Sequence, residues 1–244
     1  MSDHQEPEEV DVPGFTEKAL LVHASGAAQR GAVLYLHWFD EAPNANRAQF
    51  VDEARELAHL GFTSLLPQLM FPWASAPADA ETDLRRIEDE SSALRAALEL
   101  LGESARVDST KVAVVGHDFG AMHGALLASR SDPACVVMIA PTPRWSDWFL
   151  RFWPIDGDRF DYMRTLDPVD PINTVRDIGA PTLFQFGKQD FYIAAMSGTE
   201  IFEAAREPKT MKAYDADHSM GLPQARADRL DFLARLLELE PDNH

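Results

Sequence analysis

Gly116-His117-Asp118-Phe119-Gly120 follows the apolar run Val112-Ala113-Val114-Val115 and precedes a segment rich in small residues. That order reads as a strand, a sharp turn and a helix, with a carboxylate at the apex of the turn. Flanking glycines relieve the crowding at such a corner. The apex residue limits the chemistry. A carboxylate attacking an sp3 carbon forms an alkyl ester, whereas attack on an ordinary ester would produce a high-energy mixed anhydride. Asp118 therefore points to cleavage of a C–O or C–halogen bond rather than plain ester hydrolysis. Asp190, ending Gly187-Lys188-Gln189-Asp190, and His218, in Asp215-Ala216-Asp217-His218-Ser219, could complete a hydrolytic centre. An imidazole oriented by a carboxylate can deprotonate water.

Strand-like and helix-like runs alternate along the chain, which implies an α/β fold with a doubly wound, mostly parallel sheet. Residues 32–37, 62–66, 111–115, 134–140, 182–186 and 210–214 read as strands. Helical periodicity marks 47–60, 80–101, the segment after Asp118, 193–206 and 224–239. The charges Arg85, Glu88 and Asp89 give helix 80–101 a solvated face. Asp190 follows strand 182–186 and His218 follows strand 210–214. Both should therefore leave the sheet at the carboxyl edge that carries the Asp118 turn.

The 244 residues suffice for one domain, expected over 13–240. Residues 1–12 read as a disordered acidic tail. Forty acidic against 22 basic residues give a net charge of −18, a field that repels nucleic acid and anionic membrane surfaces. The single cysteine, Cys135, lies in an apolar run and reads as a buried structural thiol. Neither a signal peptide nor a membrane-spanning run is evident, so the expected compartment is cytoplasmic. Neither metal ligands nor a phosphate-cradling glycine pattern converges, so no cofactor is expected. The expected partner is a small-molecule substrate, and self-association is left open.

The chain resembles the α/β-hydrolases over nearly all of residues 19–239. Its modest size and the phrases Ile178-Gly179-Ala180-Pro181 and 214–218 resemble the dienelactone hydrolase branch, which carries cysteine or serine at the nucleophile elbow. The Gly116-His117-Asp118 corner instead resembles the epoxide hydrolases and haloalkane dehalogenases, which use aspartate there and usually place tryptophan next. Here the neighbour is Phe119, whose side chain has no donor. The resemblance implies a catalytic triad of Asp118, Asp190 and His218, in the chain order of the fold. It also implies an oxyanion hole in the loop Leu36-His37-Trp38-Phe39-Asp40, formed by the amides of Phe39 or Trp38 together with that of Phe119. Trp38 stands where glycine is usual. Epoxide opening in the resembling family often uses a lid tyrosine, for which Tyr162 is the first candidate and Tyr192 the second.

All five tryptophans read as lying in loops after strands. Trp38, Phe39, Phe71, Trp73, Trp145, Trp148, Phe149 and Tyr162 are expected to line a small apolar pocket, with Trp153 and Phe152 nearby. The aromatic and proline-rich segment 141–171 is expected to act as a short lid. His37, His117 and His123 are more ordinary as packing residues. Three readings stay open: a hydrolase using an aspartyl ester on an epoxide or organohalide, an ester or lactone hydrolase of the dienelactone type, and a non-catalytic binding protein with a degenerate elbow.

Overall fold

The computed structural model describes residues 6–25, 30–39, 46–104 and 107–238. Residues 1–5 of the expected tail, Asp40 of the oxyanion loop and the expected domain's end at 239–240 lie outside them. In chain order the elements are β1 (Glu8–Val10), β2 (Ala19–Val22), β3 (Arg30–Leu36), α1 (Val51–His59), β4 (Thr63–Leu66), α2 (Ala80–Gly102), β5 (Val107–His117) and α3 (Phe119–Ser129). They continue with β6 (Cys135–Ile139), α4 (Trp145–Phe152), α5 (Arg159–Leu166), α6 (Pro171–Thr174), β7 (Thr182–Gly187), α7 (Ala195–Ala204), β8 (Lys209–Tyr214) and α8 (Pro223–Glu238). One sheet runs β1-β2-β4-β3-β5-β6-β7-β8. Its two edge pairings, β1 with β2 and β2 with β4, are antiparallel, and every pairing from β4 to β8 is parallel.

Alternation along the strands separates the two faces. Val33, Tyr35, Ala113, Val115, Val137, Ile139 and Leu183 pack against α1 and α8 through Leu57, Leu233 and Leu237. Their neighbours Ala32, Leu34, Leu36, Val112 and Val114 meet α2 through Leu94, Ala97 and Leu101. Val136, Met138 and Phe184 meet the alanines of α3. Burial on both faces explains why the central strands read as continuous apolar runs. Across the first face, Arg229 of α8 donates to Glu53 of α1 at 2.9 Å and to Gln185 of β7 at 2.8 Å.

Several sequence expectations are corrected here. Glu8–Val10 does not belong to a disordered tail, because it pairs along β2 as an edge strand and needs no buried face to do so. The helix expected at 47–60 is a short 3-10 turn at Asn46–Ala48 followed by α1. The segment 141–171 folds largely as helices, so Trp145 and Trp148 sit on α4 rather than in loops. Finally, α2 is not charged only toward solvent, since Asp83 and Glu90 are fully buried. No helix among the described residues is long and apolar enough to cross a membrane.

Candidate active site

The corner between β5 and α3 forms because two glycines permit it. A Cβ on Gly116 would stand 2.6 Å from the backbone of Ala121, and one on Gly120 would stand 2.5 Å from the carbonyl of His37. Any side chain at either position would force helix and strand apart. Between them Asp118 adopts φ 56° and ψ −121°, a strained conformation for an L residue. Its own N–H donates to the carbonyl of Ile139 at 2.9 Å, and its carbonyl accepts the amides of Ala121 and Met122. The backbone holds the strain, and the carboxylate is delivered to the carboxyl edge of the sheet.

The two oxygens of Asp118 differ sharply. Oδ2 accepts the backbone N–H of Phe39 at 3.2 Å. Oδ1 is buried, makes no hydrogen bond, and lies 3.8 Å from Nε2 of His218. That gap exceeds a hydrogen bond but closes with a small rotation of either ring or carboxylate. On the other side of the imidazole, Nδ1 meets Oδ2 of Asp190 at 2.8 Å. Oδ1 of Asp190 accepts the amides of Tyr192 at 2.8 Å and Ile193 at 2.9 Å, so this aspartate forms the turn with one oxygen and holds the imidazole with the other. Burial pulls the His218 pKa down, but the carboxylates of Asp118 and Asp190 outweigh it and push the value up to about 9. The three residues expected from chain order therefore meet in space.

A partly buried relay fixes the loops behind them. The amide of Trp38 donates to Oε1 of Gln49 at 2.8 Å, and Nε2 of Gln49 donates to Nδ1 of His117 at 2.6 Å. Nε2 of His117 then donates to the carbonyl of His218 at 2.9 Å. Burial and the neighbouring imidazole of His218 hold the His117 pKa well below its ordinary value. The ring is thus neutral and keeps the tautomer that this relay needs. Because Gln49 engages the Trp38 amide, Trp38 is not an oxyanion donor; its ring stacks on His117 at 5.3 Å instead. Phe39 supplies one donor, and Phe119, first residue of α3, carries an amide without an acceptor inside its helix.

A second set of buried polar groups pins residues 69–73. Nε2 of His37 accepts the Leu69 amide at 2.9 Å, and burial pushes its pKa down to about 3. Glu90 accepts the amides of Met70 at 2.9 Å and Phe71 at 3.0 Å, and burial pushes its pKa up to about 8. His123, expected among the packing residues, is fully buried and donates to the Phe71 carbonyl at 2.8 Å. This segment carries Trp73, whose ring meets Phe39 at 5.8 Å and Phe119 at 6.1 Å.

Of the aromatics expected to line the pocket, Phe39, Trp73 and Trp148 surround Phe119 beside Asp118. Trp153 joins them at 6.0 Å from Phe39. Phe71, Trp145, Phe149 and Tyr162 belong to the same cluster but are almost fully buried in it, with Phe149 and Trp145 stacked on the Phe119 ring at 5.6 and 6.1 Å. Trp145 spends its indole N–H on the carbonyl of Val169, and Tyr162 donates its hydroxyl to Asp83 at 2.8 Å. Tyr162 is accordingly a structural residue. Tyr192 takes its place near the chemistry, with its ring 5.2 Å from His218. Cys135 is buried, and burial pushes its thiol up to about 12. Among the described residues no cluster of His, Cys, Asp and Glu could hold a metal ion.

With this geometry established, comparison with known proteins places the fold. The dienelactone hydrolase family matches the sequence over residues 21–229. The chain belongs to that family. It is an α/β-hydrolase, and no curated protein matches its sequence. Among solved structures, the alpha/beta hydrolase GrgF from Penicillium sp. sh18 superposes with a TM-score of 0.70 at 16% identity, over 96% of this chain and 99% of that one. The esterase domain of a Rhodothermus marinus protein gives 0.67 at 17% identity, over 94% and 96%. Dipeptidyl peptidase 4 of Porphyromonas gingivalis gives 0.71 at 15% identity; this chain covers 35% of that protein with 94% of its own length. At these identities the likeness is one of fold.

Proposed function

We propose that this dienelactone hydrolase family member hydrolyses a small apolar electrophile, an epoxide or organohalide, through a covalent ester on Asp118. The division between the two carboxylate oxygens carries the reading. The free Oδ1 is the attacking atom, and the bond from carbon to the leaving group breaks as the ester forms. For an epoxide, the leaving alkoxide takes its proton from the imidazolium of His218, which the high pKa keeps charged at neutral pH. His218 is then neutral and ready to take a proton from water; with a halide, which leaves unprotonated, the imidazolium first releases its proton to solvent once the ester has removed the charge of Asp118. Water attacks Cγ of the ester, and negative charge gathers on Oδ2, the oxygen already resting on the Phe39 amide. Collapse of that oxyanion releases the alcohol and restores the carboxylate.

Family membership and an esterase among the structural neighbours favour a second reading, hydrolysis of an ester or lactone. In it Asp118 and His218 would act as bases toward water, and Asp118 would have to vacate the Phe39 amide for the substrate carbonyl. Turnover in heavy-oxygen water separates the two. The aspartyl ester route puts label into the Asp118 carboxylate, found by peptide mass analysis; direct attack by water leaves it unlabelled. Asp118→Asn should abolish product, and His218→Gln should accumulate a covalent adduct on Asp118. Full activity in Asp118→Asn, or no turnover of any epoxide, halide or ester by the wild-type chain, would end the proposal.

A further inference from the structure

A line of aromatic rings leads from His218 out to solvent. The Tyr192 ring is 5.2 Å from His218 and 5.5 Å from Trp148. Phe152 lies 5.2 Å from Trp148 and 6.2 Å from Tyr192, and Phe191 lies 5.6 Å beyond Tyr192. Exposure grows along the line, from 8% at Trp148 through 44% at Phe152 and 45% at Tyr192 to 78% at Phe191. Two elements build it: α4, and the turn that follows β7 and contains Asp190.

Core packing does not account for the outer rings, since a ring as open as Phe191 buries little apolar surface on folding. Contiguous exposed apolar groups rimmed by charge mark places that receive a ligand or partner. The rings are also held in place. The Arg151 guanidinium lies 4.8 Å from the centre of the Phe152 ring and 5.8 Å from that of Phe191, and it donates to the Tyr192 carbonyl at 3.4 Å. Among the described residues Arg151 pairs with no carboxylate, although acidic residues outnumber basic ones 40 to 22. A cation over the two faces fixes rings that would otherwise turn freely.

We propose that this track binds the apolar extension of the substrate, so that the site takes a molecule with an elongated alkyl or aryl body and its reactive carbon at Asp118. The inner end decides the occupant. The track starts on the imidazole that serves the reaction, and a single ligand lying along it would cover the exposed rings while its head reaches Oδ1. The inference rests on Asp118 and His218 being the reacting pair, but not on which bond they cleave.

Calorimetric titration of the full-length chain with unreactive alkyl phenyl ketones, from acetophenone to octanophenone, tests it. The wild-type association constant should rise about fourfold per added methylene. In a Phe152→Ser, Phe191→Ser double variant it should match wild type for acetophenone and stay flat thereafter. A rise of equal steepness in the double variant would overturn the proposal, as would a flat wild-type series. A drop in oligomeric mass caused by the double substitution would also overturn it, assigning the rings to a contact between two copies of the chain. If the length dependence appears while no epoxide, halide or ester is turned over, the binding track stands and the reaction reading falls.

Discussion

Replacing Asp118 by asparagine removes one negative charge 3.8 Å from Nε2 of His218 while keeping the side chain's shape. At that separation two unit charges attract by about 1 kcal/mol if water screens them fully, and by about 4 kcal/mol at the intermediate screening usual for partly buried pairs. At roughly 1.4 kcal/mol per pKa unit, the substitution should lower the His218 pKa by about 1 to 3 units from its value of about 9. In the proposed reaction the same loss of charge would occur whenever Asp118 becomes an ester. His218 should thus begin each cycle as an imidazolium and become a competent base only once the intermediate exists. Proton NMR titration of histidine Cε1–H signals, with the His218 resonance identified by its absence in His218→Gln, measures the shift directly. An unchanged His218 pKa in Asp118→Asn would mean that the two groups do not face each other in solution, and the two-step reading would fall with it.

Other outcomes follow from the supporting shell. Gln49→Ala breaks the relay at Trp38 and His117 and should lower stability in urea by about 2 kcal/mol and kcat about tenfold, with KM little changed; equal activity would make the relay incidental. Gly120→Ala drives a Cβ into the His37 carbonyl and should lower the melting temperature by many degrees or prevent folding, as overpacking by about 3 kcal/mol would. Glu90 holds its proton in the folded chain up to about pH 8, whereas the unfolded chain releases it near 4.5. Its contribution is therefore full below pH 4.5 and is lost as pH rises toward 8. Urea titrations at pH 5 and pH 8 should show wild type losing stability relative to Glu90→Gln across that interval; parallel curves would refute this.

The sheet was legible because its central strands are buried on both faces and read as unbroken apolar runs, of which 111–115 is the clearest. The meeting of Asp118, Asp190 and His218 was legible because each lies just after a strand, so their chain order translates into one sheet edge. The relay was not. Gln49 acts on a ring 68 positions away, and nothing local distinguishes it from a solvated glutamine before a helix. Glu90 looked like one more charge on α2 because the amides that donate to it lie on a different segment. The lid helix α4 left a sign that proline-rich composition obscured: Trp145, Trp148, Phe149 and Phe152 recur at the spacing of one helical face. Tyr162 drew attention by its place in that segment, but its hydroxyl is claimed by Asp83 of α2, a partner 79 positions earlier.

The seat of Oδ2 on the Phe39 amide has a pharmacological corollary. Boronates and phosphonates inhibit serine hydrolases by bonding to the hydroxyl and pressing an oxygen into a vacant anion cradle. Here the cradle is filled by the acid that would have to accept the bond, so such compounds should pass this protein by. Strained or halogenated alkylating agents, which need only a free carboxylate oxygen, should be turned over by the wild-type chain and should arrest His218→Gln, in which the ester persists.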